Sequence, residues 1–299
     1  MLFGYLAIWL LGYLAIWRTE QGGSVVKHLL EDGKYAVRGV TRNVESAKSK
    51  KLAAMGVEMV AADQSNYDQV KAAFKDAYAA FVVTFFWDPA SMGKEQERGG
   101  MAAKAAKEAG VTHYLWSTLP NVEEQSGGKW HVPHFTDKAK VEPIIRGLGF
   151  KYHTFISPNF YYSNFKAFGM AREREDGSVA FLMPHYDANT VHSGYDVDDM
   201  GLPIPNVLDH PEEYHDKYIV YEGFTAPIKE WLHIFTKVTG KSAVLDPVPP
   251  NDYVEELVQM FGWFKESGYY GKLDRTASVD AAFPRPLTTW KEYLLHKWD

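Results

Sequence analysis

Two rhythms of apolar positions alternate along this chain. Val25, Val26, Leu29 and Leu30 recur at helical spacing, and Gly33 stands where a left-handed helix end favours a residue without a β-carbon. Residues 35–41 then make a short apolar stretch of strand length that ends in Thr41 and Arg42. The same alternation continues with a helix over 44–54, a strand over 57–62 ending at Asp63 and Gln64, and a helix over 67–76 that turns Val70, Ala73 and Phe74 inward. The run AAFVVT at 79–84 has no polar alternation, which predicts a strand covered on both faces. A helix rich in Ala and Lys over 93–109, a strand over 112–117, a polar loop over 120–133, a helix over 136–146 and a strand over 151–156 follow. Strands separated by single helices predict right-handed crossovers and an α/β fold with a doubly wound parallel sheet of the Rossmann type.

Near Ser157 the rhythm breaks. Proline and aromatic residues become frequent, and only scattered helical pieces remain, over 224–240, 251–262 and 287–298. This predicts two lobes: a Rossmann-type lobe over 1–156 and a smaller α+β lobe over 157–299. The second would roof a cleft at the carboxyl edge of the sheet. At the other end, Leu2 to Trp17 is apolar, and GYLAIW at 4–9 returns at 12–17. A spanning helix needs roughly 20 apolar residues, and no basic segment precedes the run as a signal peptide would require. It reads as a buried first strand with extra apolar residues before it, with a membrane or interface-lying segment as the alternative.

Composition narrows the chemistry. A net charge of −6 over 299 residues argues against a nucleic-acid binder. The lack of cysteine excludes disulfides, thiolate metal sites and a cysteine nucleophile, and fits an intracellular, cytoplasmic or nuclear setting. Gly22 and Gly23 at a helix start offer free amides to a pyrophosphate. Arg42, at the end of a strand that carries no terminal acid, suits a 2′-phosphate. The pairs His131/His134 and His210/His215 lie in proline-broken loops without helical ligand spacing, so no metal site is expected.

Several segments in order carry a resemblance: QGGSVVKHLL from Gln21, RGVTRN at 38–43, AADQSNYD at 61–68, WSTL at 116–119, HFTDKAKVE at 134–142, SPNFYYSNF at 157–165 and YDVDDMG at 195–201. Together they resemble the NmrA-like family, a branch of atypical short-chain dehydrogenase/reductase proteins. The resemblance implies NADP as cofactor. The family motif G-x-x-G-x-x-G would place its first two glycines at Ile16 and Thr19, with Trp17 and Arg18 between, and its third at Gly22. It further implies that Thr41 and Arg42 face the 2′-phosphate, and that Asp63 and Gln64 face adenine. Thr84, Phe85 and Phe86 would lie beside the ribose and nicotinamide, Ser117 or Thr118 would replace the family's hydroxyl, and Ser117, Lys138 and Asn159 would also contact the cofactor. Asp63 also reads as a turn or helix-cap residue. Asp196, Asp198 and Asp199 would form a structural brace. Lys138 matches the lysine of the Tyr-x-x-x-Lys pair, and His134 stands where the tyrosine would be.

Three functional readings follow. One is an NADP(H)-binding redox sensor acting through a protein partner such as a transcription factor. Another is an NADPH-dependent reductase of a small, for instance aromatic, metabolite, with Lys138 or His134 as acid/base. The third is a scaffold that no longer binds nucleotide.

Overall fold

The computed structural model describes residues 20–87, 93–247, 254–275 and 281–298, together with the backbone of 5–9. The expectations for Ile16, Trp17, Arg18 and Thr19, and for the second copy of the apolar repeat, lie outside the described residues. The first copy supplies strand β1 (Tyr5–Trp9). Helix α1 (Glu20–Asp32) follows and buries Val25, Val26 and Leu29 completely. It closes as expected: Gly33 has φ of 71° and donates its N–H to Leu29 O at 3.0 Å.

The alternation continues through β2 (Ala36–Thr41), α2 (Ala47–Ala54), β3 (Glu58–Ala61), α3 (Tyr67–Ala73), β4 (Ala77–Val82), α4 (Glu95–Glu108) and β5 (His113–Ser117). After α5 (Val122–Gln125), α6 (Pro133–Ala139) and α7 (Glu142–Gly147) comes β6 (Tyr152–Ser157). A seventh strand, Tyr218–Val220, joins at the edge. The sheet runs seventh strand–β6–β5–β4–β1–β2–β3, and every pair is parallel. The order reverses between β1 and β4, which opens a crevice at the carboxyl edge. This is the doubly wound sheet that the periodicity predicts.

Several element boundaries differ from the sequence reading. The helix expected over 136–146 is two helices. Pro143 has no N–H to give Ala139, and its ring crowds that carbonyl, so the chain breaks around Lys140–Val141. Pro133 starts α6 early, so His134 sits in a helical first turn and not in a loop. The polar loop over 120–133 contains α5, capped by Asn121, whose Oδ1 accepts the Glu124 N–H at 3.3 Å. Phe224–Pro227 is a strand antiparallel to Val191–Tyr195, and the helix begins only at Ile228. The helix expected from residue 251 is Glu255–Ser267, and the last one is Trp290–Lys297.

The second lobe has two three-stranded sheets and an aromatic core that includes Phe160, Tyr162, Phe165, Trp231, Phe261 and Trp290. His192 is enclosed there, and burial pushes its pKa down to about 3, so it is a neutral core residue. Residues 196–220 return from this lobe to the large sheet. Ser24 on α1 donates its hydroxyl to Asp198 O at 2.6 Å and accepts the Gly201 N–H at 2.9 Å. A β-carbon on Gly201 would come within 2.3 Å of Ser24 O, so the two segments meet backbone to backbone. Asp196 takes Lys297, and Asp199 takes Arg285 Nη2 at 2.8 Å and the Thr288 N–H at 2.6 Å. The acidic turn therefore braces the C-terminal segment against the rest.

Candidate functional site

The carboxyl edge divides into two halves. On the half beyond β1 lie the start of α1 and the ends of β2 and β3. Gly22 is buried in the first turn of α1, and a β-carbon on Gly23 would meet nothing within 4 Å among the described residues. Thr41 Oγ1 accepts the Asn43 N–H at 3.3 Å, which fixes the turn after β2. Asp63 Oδ1 accepts the N–H of Ser65 at 2.8 Å and its hydroxyl at 2.7 Å, so Asp63 shapes its own turn. Those Ser65 bonds, helped by the charge of Arg42, hold the Asp63 carboxyl below the usual carboxylate range. Gln64 beside it is buried. Glu20, in the first turn of α1, is pushed up to about 7 by burial and then by Asp198, so at lower pH it adds no negative charge to this helix start.

The other half holds a cavity of about 150 Å³. Thr84, Phe85 and Phe86 enter it from the end of β4, Ser117 from β5, His134 and Lys138 from α6, and Asn159 from the turn after β6. Seven predicted site residues are thus brought together, whereas Gly22, Gly23, Thr41, Arg42, Asp63 and Gln64 lie along the first half and do not line the cavity. The second lobe closes it with Phe160, Phe168, Met170, Leu257, Met260 and Tyr269. Asn159 is committed to the fold: its Nδ2 donates to Ser193 Oγ at 2.7 Å and Tyr221 O at 2.9 Å, and its Oδ1 accepts the Phe160 N–H at 2.7 Å.

Lys138 forms the floor. Its Nζ donates to Thr84 O at 2.8 Å, to Thr84 Oγ1 at 3.0 Å and to the Glu95 carboxylate. Three donors meet three acceptors, and Glu95 is fully buried. Thr84 in turn donates its hydroxyl to Glu95. The Lys138 carbonyl accepts Trp116 Nε1 at 3.1 Å, which ties α6 to β5.

His134 forms a wall. Its N–H donates to Glu256 Oε1 at 2.9 Å, and its Nδ1 meets the same oxygen. Burial alone would raise Glu256, but the bonds from His134 win and leave its carboxyl below the usual range. An ionised Glu256 makes Nδ1 the protonated nitrogen. The ring packs between Trp87 at 5.2 Å, Phe86 at 5.8 Å and Phe135 at 4.8 Å.

Sequence reasoning missed Gln21, Glu95 and Glu256. Gln21 spans the mouth of the cavity: it accepts from Ser117 Oγ at 2.9 Å and donates to Tyr161 OH. It sits directly before the glycine pair, which was its only sequence signal. Glu95 stands in an ordinary acidic first turn, and Glu256 opens a distant helix, so neither looks unlike a solvated acid.

A family model described as the NmrA-like family matches residues 19–294. The chain belongs to the NmrA-like family. An NmrA-like family domain-containing oxidoreductase, FrzB of Cladobotryum sp, is 30% identical over 89% of this chain and 90% of its own length. An NmrA-like family domain-containing protein of Dictyostelium discoideum is 28% identical over 92% of this chain and 93% of its own. Among solved structures, NmrA, a negative transcriptional regulator, superposes with a TM-score of 0.83 at 21% identity, covering 99% of this chain and 96% of that one. The triphenylmethane reductase of Citrobacter sp. complexed with NADP(H) gives 0.71 at 20% identity over 97% and 98%. These likenesses establish the fold of this NmrA-like protein. Among the described residues, no cluster of three or more metal-ligating side chains occurs, and no helix is long and apolar enough to cross a membrane.

Proposed function

We propose that this NmrA-like protein binds NADP(H) and reduces a small apolar, ring-bearing metabolite held beside the reacting end of the coenzyme. The observation that carries this reading is the cavity at the carboxyl edge, walled by aromatic side chains and closed by the second lobe. An apolar space of that volume takes one benzene-sized ring. NADP is supported by solved relatives that contain it, one of them titled as the NmrA regulator in complex with NADP.

The described residues fit that coenzyme. The start of α1 carries Gly23, over which no described residue lies within 4 Å of a β-carbon, and β2 ends in Thr41–Arg42 with no acid to repel a 2′-phosphate. Gly22 and Gly23 would receive the pyrophosphate, Arg42 the 2′-phosphate, Asp63 and Gln64 the adenine side, and Thr84, Phe85, Phe86 and Ser117 the nicotinamide side. NADPH supplies a hydride when bound. Lys138, with every proton engaged by Thr84 and the Glu95 carboxylate, fixes the end of β4 under the cavity and acts there as a positioning residue. Gln21 bridges Ser117 to Tyr161 and so ties the sheet edge to the second lobe.

Calorimetric titration tests the coenzyme half. NADP and NADPH should bind more tightly than NAD, and Arg42→Ala should weaken NADP(H) by about tenfold, the loss expected for one charged contact, while sparing NAD. Failure of all three to bind at millimolar concentration would remove both coenzyme-based readings. NADP(H)-responsive regulation through a protein partner is the second reading. It is favoured by the histidine that stands in place of the usual proton-donating tyrosine. A partner pull-down that follows the NADP/NADPH ratio, without hydride turnover on a panel of aromatic enones, would select it.

A further inference from the structure

Among the polar groups that line the cavity, most are consumed by the fold. Lys138 has its three donors filled, Asn159 has its amide filled, and Ser117 is spent on Gln21. His134 differs. Its Nδ1 is held by Glu256, and its Nε2 makes no hydrogen bond among the described residues, although the ring lines the cavity and its side chain is only 11% exposed. Trp87, Phe86 and Phe135 stop the ring from turning, and both the ring and the backbone of His134 are pinned to one carboxylate. A histidine fixed through one nitrogen by an ionised carboxylate, with the other nitrogen left to a small cavity, is arranged to exchange a proton there.

We propose that His134, positioned by Glu256, is the catalytic proton donor of this cavity, and that it acts on the oxygen of a flat, single-ring conjugated carbonyl compound. The proposal rests on the reductase reading. As two electrons arrive as hydride on carbon from a reduced nicotinamide, the π pair of the carbonyl, or of the conjugated system, moves onto oxygen. The Nε2–H bond of the imidazolium breaks and an O–H bond forms. The neutral imidazole then takes its proton back from solvent, and Glu256 stays ionised throughout. The carboxylate against the ring is Glu256 on the facing helix, on which His131 before α6 also acts, and the Lys138–Glu95 ion pair lies one turn further along α6. Glu256 thus fixes the Nδ1 side of the ring and leaves Nε2 to the cavity.

The first test needs no coenzyme. The full chain is mixed with 4-nitrophenol, and ionisation of the bound phenol is read from its absorbance. A basic Nε2 beside the hydroxyl should make the bound phenol ionise at least about one pH unit below its value in buffer. His134→Ala should abolish that shift, and the isosteric Glu256→Gln should reduce it without loss of the fold. A wild-type chain that leaves the phenol's ionisation as in buffer, or a His134→Ala chain that matches wild type, overturns the proposal.

NADPH affinity, titrated in the same three proteins, separates this from the reading beneath it. A chain that shifts the phenol but binds no NADPH sinks the reductase reading and leaves the His134–Glu256 pair as a phenol-binding element. Unchanged NADPH affinity with no phenol shift sinks the pair alone. With NADPH and cinnamaldehyde, His134→Ala should lower kcat by about 10²-fold or more with little change in NADPH binding. In Glu256→Gln the alkaline limb of the kcat profile should move to lower pH.

Discussion

Lys138 and His134 stand one turn apart on α6, each against a carboxylate, yet they do different work. Lys138 reaches the buried Glu95 and the end of β4, and its three protons are all used inside the protein. His134 reaches Glu256 across the lobe boundary through one nitrogen and keeps the other for the cavity. The floor is a closed set of hydrogen bonds, and the wall leaves one ring nitrogen without a hydrogen bond among the described residues. What separates them is valence left over after the fold is satisfied, a property that neither burial nor residue type reports.

The largest expected effect breaks the floor. Glu95→Ala would leave the Lys138 ammonium buried without its counter-charge, which costs about 3–5 kcal/mol in such pairs. Glu256→Ala should cost less, about 1–3 kcal/mol, the loss of the hydrogen bonds that it takes from the His134 backbone and ring. Urea unfolding of the two variants measures the difference. Equal losses would mean that the floor and the wall are the same kind of feature.

That difference could not be read in advance. The large sheet could, because β4 falls in a continuous apolar run and α1 carries its buried stripe at helical spacing. Where the reading went astray, a local rule had been outweighed. Pro143 split the helix around Lys140, and Phe224–Pro227 joined a sheet because Val191–Tyr195 offered it an edge. The residues around the cavity were legible as far as they occupy strand ends and α6. Their partners were not: Glu95 lies 43 residues before Lys138, and Glu256 lies 122 residues after His134. The first pairing is made by α4 packing on α6 within the first lobe and the second by the packing of the two lobes, and neither leaves a pattern in the sequence.

A smaller perturbation should loosen the wall and spare the floor. Gly262 lies on the helix that carries Glu256, and a β-carbon there would come within 2.2 Å of the Trp130 indole. Trp130 cannot swing away freely, because its Nε1 donates to Glu266 on the same helix at 2.9 Å. Gly262→Ala should therefore shift that helix at a cost of about 1–3 kcal/mol. The bound-nitrophenol shift should weaken, while NADPH affinity, which on the proposed reading draws its phosphate and adenine contacts from the other half of the carboxyl edge, should hold. Loss of both together would show that the two halves move as one body.

The smallest effect is a pH dependence, and its sign discriminates between carboxyls. Glu256 has a folded pKa below its usual value of 4.5: burial opposes ionisation, but His134 more than offsets it. Its contribution to stability is therefore fully present above about pH 4.5 and is lost as pH falls through the lower folded value. Glu142 behaves in the opposite way. Burial holds it above its usual value despite hydrogen bonds from Thr118 and Tyr218, so its contribution is present below about pH 4.5 and fades as pH rises through the raised value. Stability measured by urea unfolding across the acid range should thus lose part of its slope in Glu256→Gln and become steeper in Glu142→Gln, where a stabilisation that grows towards low pH has been taken away. Slopes that change in the same direction would mean that Glu256 is not held ionised by His134, and the wall would then lack the fixed charge that its chemistry requires.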